Sequence, residues 1–258
     1  MPLRSILPFL RAETGCAFID VSHGGTTYRV ALRRSAAARR FTLRVRAGAR
    51  DVILTTPARA SLADARTFVE RHAAWINARL RRLPPAVPFA PGSLVPLRGE
   101  PHLVELATLP RGLGPVMASP ASALVGAPRL LVGGEAAFAP RRLRDFLVKE
   151  ARRDLEAAVA RHAARLGVVP RRIALRDTTS RWGSCSAAGA LNFSWRLILA
   201  PPFVLDYLAA HEVSHLVHMD HSPAFWGVVG RLIPDHAAAE GWLRRNGTGL
   251  LRFGAPEN

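Results

Sequence analysis

A short polar motif in an apolar segment constrains this chain more than any other feature of its sequence. The run from Tyr207 to His218 contains H-E-x-x-H, formed by His211, Glu212 and His215. The apolar neighbours of the motif give the predicted helix a side that faces a core: Leu205, Leu208, Ala209 and Leu216. Buried polar groups must find partners, because leaving them unpaired is costly. The fold must therefore provide a ligand or a hydrogen-bond partner at this helix.

The spacing of the motif predicts a zinc site. Four residues turn a helix by about 400° and advance it by about 6 Å, so His211 and His215 project from one face. Two imidazoles placed in this way can share a zinc ion at about 2.0–2.1 Å each. Glu212 lies beside the ion, where a carboxylate can accept a proton from a zinc-activated water molecule. We therefore predict a zinc hydrolase with one Zn²⁺ per chain and Glu212 as general base.

A catalytic zinc site needs a third protein ligand and one open position, and two histidines compete for that role. His218 lies on nearly the same helix face, but about 10 Å along the axis from His211, which is far for one tetrahedral ion. His221 follows a point where the helix can end, so a turn can bring it back. The Ser222-Pro223 pair after it favours a new helix start. This comparison favours His221.

The N-terminal half has the pattern of a β-rich part with one helix. Short β-branched or apolar runs predict strands at 18–21, 27–32, 41–45, 52–55, 94–97, 103–106 and 130–132. Helical spacing predicts a helix over 61–83, capped by Ser61 and stopped by Pro84 and Pro85. The small, Pro-broken stretch 109–128 has the composition of a variable loop. These elements define a predicted N-terminal part over residues 1–138.

The remaining residues, 139–258, form the predicted metal-binding part. Amphipathic patterning predicts a long helix from Pro140 to Leu166, with Gly167 as its C′ residue. Strands are predicted at 172–176 and 191–199, joined by a polar segment, and helices at 202–219 and 237–245. The fold class that this order predicts is α+β.

Composition narrows the protein class further. The chain has 258 residues, of which 49% are hydrophobic, as in globular proteins, and no apolar run reaches the roughly 20 residues that span a bilayer. The start lacks the pattern of a signal peptide, and Cys16 and Cys185 form no CxxC pair. These features predict a cytoplasmic protein with reduced thiols. The net charge of +17 indicates either a surface for phosphates or nucleic acid, or the arginine bias of a GC-rich genome.

Three stretches resemble the YgjP-like metal-dependent hydrolases, zincin relatives of the SprT-like proteases. The first is Ser180-Arg181-Trp182-Gly183-Ser184-Cys185-Ser186 with the following Leu191–Pro201, and the second is H-E-x-x-H with Asp220-His221-Ser222-Pro223-Ala224-Phe225-Trp226. The third, which is weaker, is Arg39–Val45 with Phe68-Val69 and Trp75-Ile76. The resemblance implies zinc at His211, His215 and His221, Glu212 as base, and an N-terminal β-rich part packed on a zincin-like C-terminal part.

The segment Arg181–Ser186, which precedes the predicted strand over 191–199, has the composition of a substrate-binding segment. In zincin folds an edge strand near the metal holds an extended substrate by backbone hydrogen bonds. Arg181, Ser184 or Asn192 could donate to a developing oxyanion. Trp182 and Trp195 are expected to pack in the core. Cys185 is expected to be a small buried side chain, with a role as metal ligand or nucleophile as the alternative.

Three functions remain open at the level of sequence. The leading one is a metallopeptidase that acts on a peptide or other small substrate. The second is a zinc hydrolase of nucleotides or other phosphorylated substrates, although no P-loop or GxGxxG motif supports it. The third is a DNA-associated protease recruited through its basic surface, although no zinc-finger or RNA-binding signature is present.

Overall fold

The computed structural model describes residues 17–46, 50–112, 114–121, 126–178 and 181–254. The predictions about the N-terminal segment and Cys16 lie outside these residues, as does Ser180. The described chain up to Leu83 forms one compact unit, and the chain from Pro84 onward forms a second. The structure thus divides the chain earlier than residue 138, the boundary that the sequence predicts.

The first unit is a four-stranded sheet with two helices. Strand order is β1-β2-β4-β3, in which β2 and β4 are parallel and the other neighbours are antiparallel. The strands are β1 (Ala17–His23), β2 (Thr26–Ser35), β3 (Thr42–Arg46) and β4 (Asp51–Pro57). Alternate residues of the strands, such as Val52 and Leu54, are buried against Val69 and Ile76 of the helices. The unit therefore has its own hydrophobic core.

The predicted helix over 61–83 is two helices, α1 (Leu62–Arg71) and α2 (Ala73–Arg81). Ser61 caps α1 as predicted, because its hydroxyl accepts a hydrogen bond from the backbone N–H of Asp64. The break falls at His72, whose backbone leaves the helical region at φ −103° and ψ 8°. The Nδ1 of His72 also pairs with the carbonyl of Phe68 at 2.7 Å. Hydrophobic spacing continues across the break, so the sequence pattern could not reveal it.

The second unit contains two further sheets. One has the order β5-β6-β8-β7 and the other the order β10-β11-β9. Their strands are β5 (Leu94–Leu97), β6 (Glu100–Ala107), β7 (Val116–Ser119), β8 (Arg129–Gly133), β9 (Arg172–Arg176), β10 (Gly183–Cys185) and β11 (Ala190–Ser194). The prediction of a loop over 109–128 is wrong at β7, a four-residue strand between Pro115 and Pro120. The polar segment predicted between two strands contains β10.

Four helices complete the second unit: α3 (Ala139–Leu166), α4 (Pro202–Ser214), α5 (Pro223–Leu232) and α6 (His236–Leu250). Short 3₁₀ helices span Ala136–Phe138 and Trp195–Leu199. The second of these corrects the predicted strand over 191–199, since the chain leaves the sheet after Ser194. Gly167 ends α3 with φ 66°, the left-handed conformation predicted for a C′ glycine. Among the described residues no helix combines the length and apolarity that a membrane span requires.

A single core explains why residues 84–138 belong to the second unit. Val104 and Leu130 of the sheet are buried in the same cluster as Leu143 and Leu147 of α3. The helix α4 contacts α3, α5 and α6. Trp195 is buried in this cluster, and Trp182 is partly buried against it, as predicted. The protein is a mixed α+β structure in which the H-E-x-x-H segment lies at the end of a buried helix.

Candidate metal centre

The end of α4 places three motif side chains at one point. His211 and Glu212 lie in its last turn, and His215 is the residue that caps its C-terminus. The helix ends five residues before Met219, where the sequence predicted its end. Backbone hydrogen bonds from Val217 and His218 to Ser214 form a tight turn there. The chain therefore reverses direction sooner than the sequence suggested.

This reversal returns His221 to the two motif histidines. The following helix, α5, begins as the Ser-Pro pair predicted, because the Ser222 hydroxyl accepts a hydrogen bond from the Phe225 N–H. One ring nitrogen from each of His211, His215 and His221 lies within 4.8 Å of the others. His218 contributes no nitrogen to this group.

The separation of one nitrogen pair matches that of two ligands on a tetrahedral zinc ion. The Nε2 atoms of His211 and His221 are 3.3 Å apart. Two nitrogens that each lie about 2.05 Å from one tetrahedral ion are separated by about 3.3 Å. Two rings at this distance with no ion between them would have to share a proton. Among the residues that the structure describes, the group holds three imidazoles and no fourth protein ligand, which is the donor set of an open, catalytic zinc site.

The other ring nitrogens have partners that fix the orientation of two rings. The Nδ1 of His215 donates to the carbonyl of His218 at 3.0 Å. The Nδ1 of His211 lies 3.4 Å from the Tyr207 hydroxyl, which donates to Oε1 of Glu240 on α6 at 2.8 Å. With Nδ1 carrying the proton, Nε2 presents its lone pair to the centre. His218 thus takes part through its backbone, which the sequence analysis did not consider.

Burial keeps two of the rings neutral, as metal ligands must be. Burial, and next the nearby His215, lower the pKa of His211 from 6.5 to about 4. Burial also lowers the pKa of His215, against a smaller opposing effect of its hydrogen bond to the His218 carbonyl. Both rings therefore favour the neutral form, with one N–H each, even without an ion.

Glu212 is nearly inaccessible, and a glycine makes room for it. A Cβ atom on Gly183 would lie 2.7 Å from Cδ and 2.8 Å from Cγ of Glu212, and closer still to Oε1. Burial raises the pKa of Glu212 from 4.5 to about 7, while the charge of Arg181 opposes that shift. A carboxyl group that titrates near neutral pH is suited to accept a proton at that pH.

An edge strand borders the centre. Because β10 pairs with β11 on one side only, its other side remains open within the sheet order. A cavity of about 300 Å³ lies between β10 and the histidines, lined by Gly183, Ser184, Cys185, His211, Glu212, His215, Met219 and His221. The cavity therefore connects this strand with the nitrogen cluster.

The predicted substrate contacts fall at different distances from the cavity. Ser184 lines it, whereas Arg181 is an exposed residue just before β10. Asn192 pairs with Ser184 from the neighbouring strand and does not line the cavity. Cys185 lines the cavity without joining the histidine group, and its thiol donates to the Ser186 carbonyl. Burial, and next the charge of Glu212, raise the pKa of that thiol, which favours the neutral form.

Three residues of the site were missed at the level of sequence. Tyr207 lies four residues before His211, and this helical spacing could have identified it. Gly183 lies inside the R-W-G-S-C run, where only a structure reveals the carboxylate beside it. Glu240 comes from α6, and no local signal in the sequence connects it with the motif.

A set of three clustered histidines beside a buried carboxylate and an open strand edge is the arrangement of metal-dependent hydrolases. The chain matches the YgjP-like metallopeptidase domain over residues 39–246, and it therefore belongs to that family. A solved structure similar to part of it is the metallopeptidase zymogen abylysin of Pyrococcus abyssi, at 21% identity and a TM-score of 0.32, covering 36% of this chain and 92% of that one. No curated protein matches the chain.

Proposed function

We propose that the protein is a zinc-dependent peptidase of the zincin type, with the metal held by His211, His215 and His221. The observation that carries this proposal is the convergence of three ring nitrogens within 4.8 Å of one another, next to a buried carboxylate. Family membership supplies the peptidase chemistry, and the donor set supports zinc over Mg²⁺ or Ca²⁺, which prefer oxygen ligands.

Glu212 is the proposed general base. A bound zinc ion would supply the Lewis acidity that makes water a nucleophile at neutral pH. Glu212 would accept the proton from the attacking water and pass it to the amine of the leaving product. Its neighbour Gly183 leaves it room at the cavity wall, and the charge of Arg181 favours the ionised form. Gly183 and Arg181 thus both act on the Glu212 carboxylate.

The proposed substrate is an extended peptide that pairs with the open side of β10. Main-chain hydrogen bonds to an edge strand hold a peptide without selecting its side chains. This placement would direct the scissile carbonyl into the cavity beside Ser184. We propose Ser184 and Arg181 as donors to the developing oxyanion, with Arg181 approaching from the end of the strand. Asn192 is proposed to support Ser184 across the strand pair.

The test is an activity screen of the zinc-loaded protein against a fluorescent casein and a set of nucleoside triphosphates. The Glu212→Gln variant is the matched blank, since it preserves size and removes basicity. Casein cleavage that falls by about 10²-fold or more in the variant supports the proposal. Triphosphate hydrolysis that depends on Glu212, without casein cleavage, would replace the peptidase by a phosphohydrolase.

A further inference from the structure

A groove on the first unit is distinct from the metal centre and unexplained by it. It has a volume of about 410 Å³ and lies between the edge strand β3 and the helix α2. We call it the α2 groove. Its walls include Leu43, Arg44 and Val45 of β3, Trp75 and Arg79 of α2, and Arg82, the residue that follows α2. Two sequence stretches that the metal chemistry leaves unused, Arg39–Val45 and Trp75-Ile76, meet here.

The charge of this unit is far from balanced. Residues 17–83 contain fourteen arginines and four acidic residues, an excess of ten positive charges out of +17 for the whole chain. Two of those acids, Asp20 and Asp51, are paired with Arg29 and Arg46. Arginine bias across a whole genome would spread charge along the chain, whereas here it is concentrated in about a quarter of it.

The arginines of the α2 groove lack counter-ions. Among the described residues no acidic side chain lines the groove, and the side chains of Arg44, Arg79 and Arg82 form no hydrogen bond or ion pair. Arg79 and Arg82 also lie three residues apart on one helix face, a spacing at which like charges repel. An anion bound between them would relieve that repulsion. Arginine is the side chain best suited to phosphate, because its planar fork matches two oxygens.

An exposed aromatic ring gives the groove a second kind of contact. Trp75 is 45% exposed, although its neighbours on α2, Ile76 and Ala73, are buried in the core. A large indole ring in a basic groove is the arrangement that stacks on unpaired bases, while a duplex keeps its bases inside the stack. We propose that the α2 groove binds single-stranded nucleic acid, with Trp75 stacked on a base and Arg79 and Arg82 contacting phosphates.

The test measures binding of a fluorescein-labelled oligothymidylate of about twelve nucleotides, a length typical of single-strand sites, to the full-length protein by anisotropy. The Trp75→Ala variant should bind about 5- to 150-fold more weakly, the range for loss of one stacked base. Trp75→Phe should retain most of the affinity, because it keeps an aromatic face and the packing of α2. Equal affinity of Trp75→Ala and the unmodified protein would overturn the proposal.

Salt dependence tests the phosphate contacts separately. Arg79→Ala should reduce the slope of log affinity against log salt by about 0.7, the value for one single-strand phosphate contact. Arg59→Ala, at an exposed turn residue outside the groove, is the matched control and should change affinity by less than twofold. An equal effect of both variants would mean diffuse electrostatics and would contradict a defined groove. Displacement by polyglutamate that depends on Trp75 would assign the groove to acidic peptides instead.

Discussion

Replacing Gly183 with alanine tests how the fold positions its proposed base. The new Cβ would lie 2.7 Å from Cδ of Glu212, whereas carbon atoms in contact are separated by about 3.5–4.0 Å. The carboxylate or the strand must therefore move by about 1 Å. Overpacking of this size destabilises a fold by about 1–3 kcal/mol. A displacement of about 1 Å in an active site can reduce turnover by about 10²-fold.

We expect Gly183→Ala to keep its zinc and to lose about 10²-fold in casein turnover, because the three atoms nearest to the new methyl group all belong to Glu212. Zinc content by mass spectrometry, turnover and thermal unfolding are measured on one preparation. Gly230→Ala in α5 is the matched control, since its Cβ would meet no atom within 4 Å and turnover should not change. Full turnover of Gly183→Ala with normal zinc content would refute the proposed placement of Glu212 as base.

Three further predictions concern ionisation, ligand orientation and backbone conformation. Burial raises the pKa of Glu212 from 4.5 to about 7. Between these two pH values the metal-free folded chain binds more protons than the unfolded chain, so it loses stability as the pH rises through this range. In denaturant titrations of metal-free protein, the free energy of unfolding of Glu212→Gln should exceed that of wild type by up to about 3 kcal/mol at pH 8. At pH 4 the two free energies should be equal. An equal difference at both pH values would contradict this prediction. Tyr207→Phe removes the hydroxyl beside Nδ1 of His211 and should weaken zinc binding by about 10-fold in chelator competition, whereas unchanged affinity would show that the hydroxyl does not orient the ring. The Cβ atom added by Gly167→Ala would meet no atom within 4 Å, but the residue would keep its φ of 66°. Backbone strain alone should therefore lower the free energy of unfolding by about 1 kcal/mol, as measured by thermal unfolding.

Periodic features of the sequence predict most helices and strands of this fold. The long helix α3 and its Gly167 terminus follow from spacing and from one residue with unusual backbone freedom. Two strands escape this reasoning: β7 and β10, of four and three residues, lie in segments of small, polar, Pro and Gly residues that have the composition of loops. The run Trp195–Leu199, apolar except for Arg196, is buried throughout, so its pattern could not distinguish a strand from the observed 3₁₀ helix.

Long-range packing accounts for the remaining differences. Asn246-Gly247 predicts the end of α6, but the helix continues to Leu250. Gly247 serves close packing instead, since a Cβ there would lie 3.2 Å from the Trp182 ring. The division at Leu83 depends likewise on which core the strands β5 to β8 join. Spacing alone could suggest His221 rather than His218 as the third ligand. The contact of Gly183 with Glu212 and the hydrogen bond from Tyr207 to Glu240 join segments that only folding brings together.

The central claim, that His211, His215 and His221 hold one catalytic zinc ion, is tested most directly by the metal content of paired histidine variants. Zinc per chain is measured for the unmodified protein, His221→Ala and His218→Ala after identical purification. We expect about one zinc ion in the unmodified protein and in His218→Ala, whose relevant contact is a backbone carbonyl, and a strong loss in His221→Ala. Full zinc retention in His221→Ala, with loss in His218→Ala, would contradict the account.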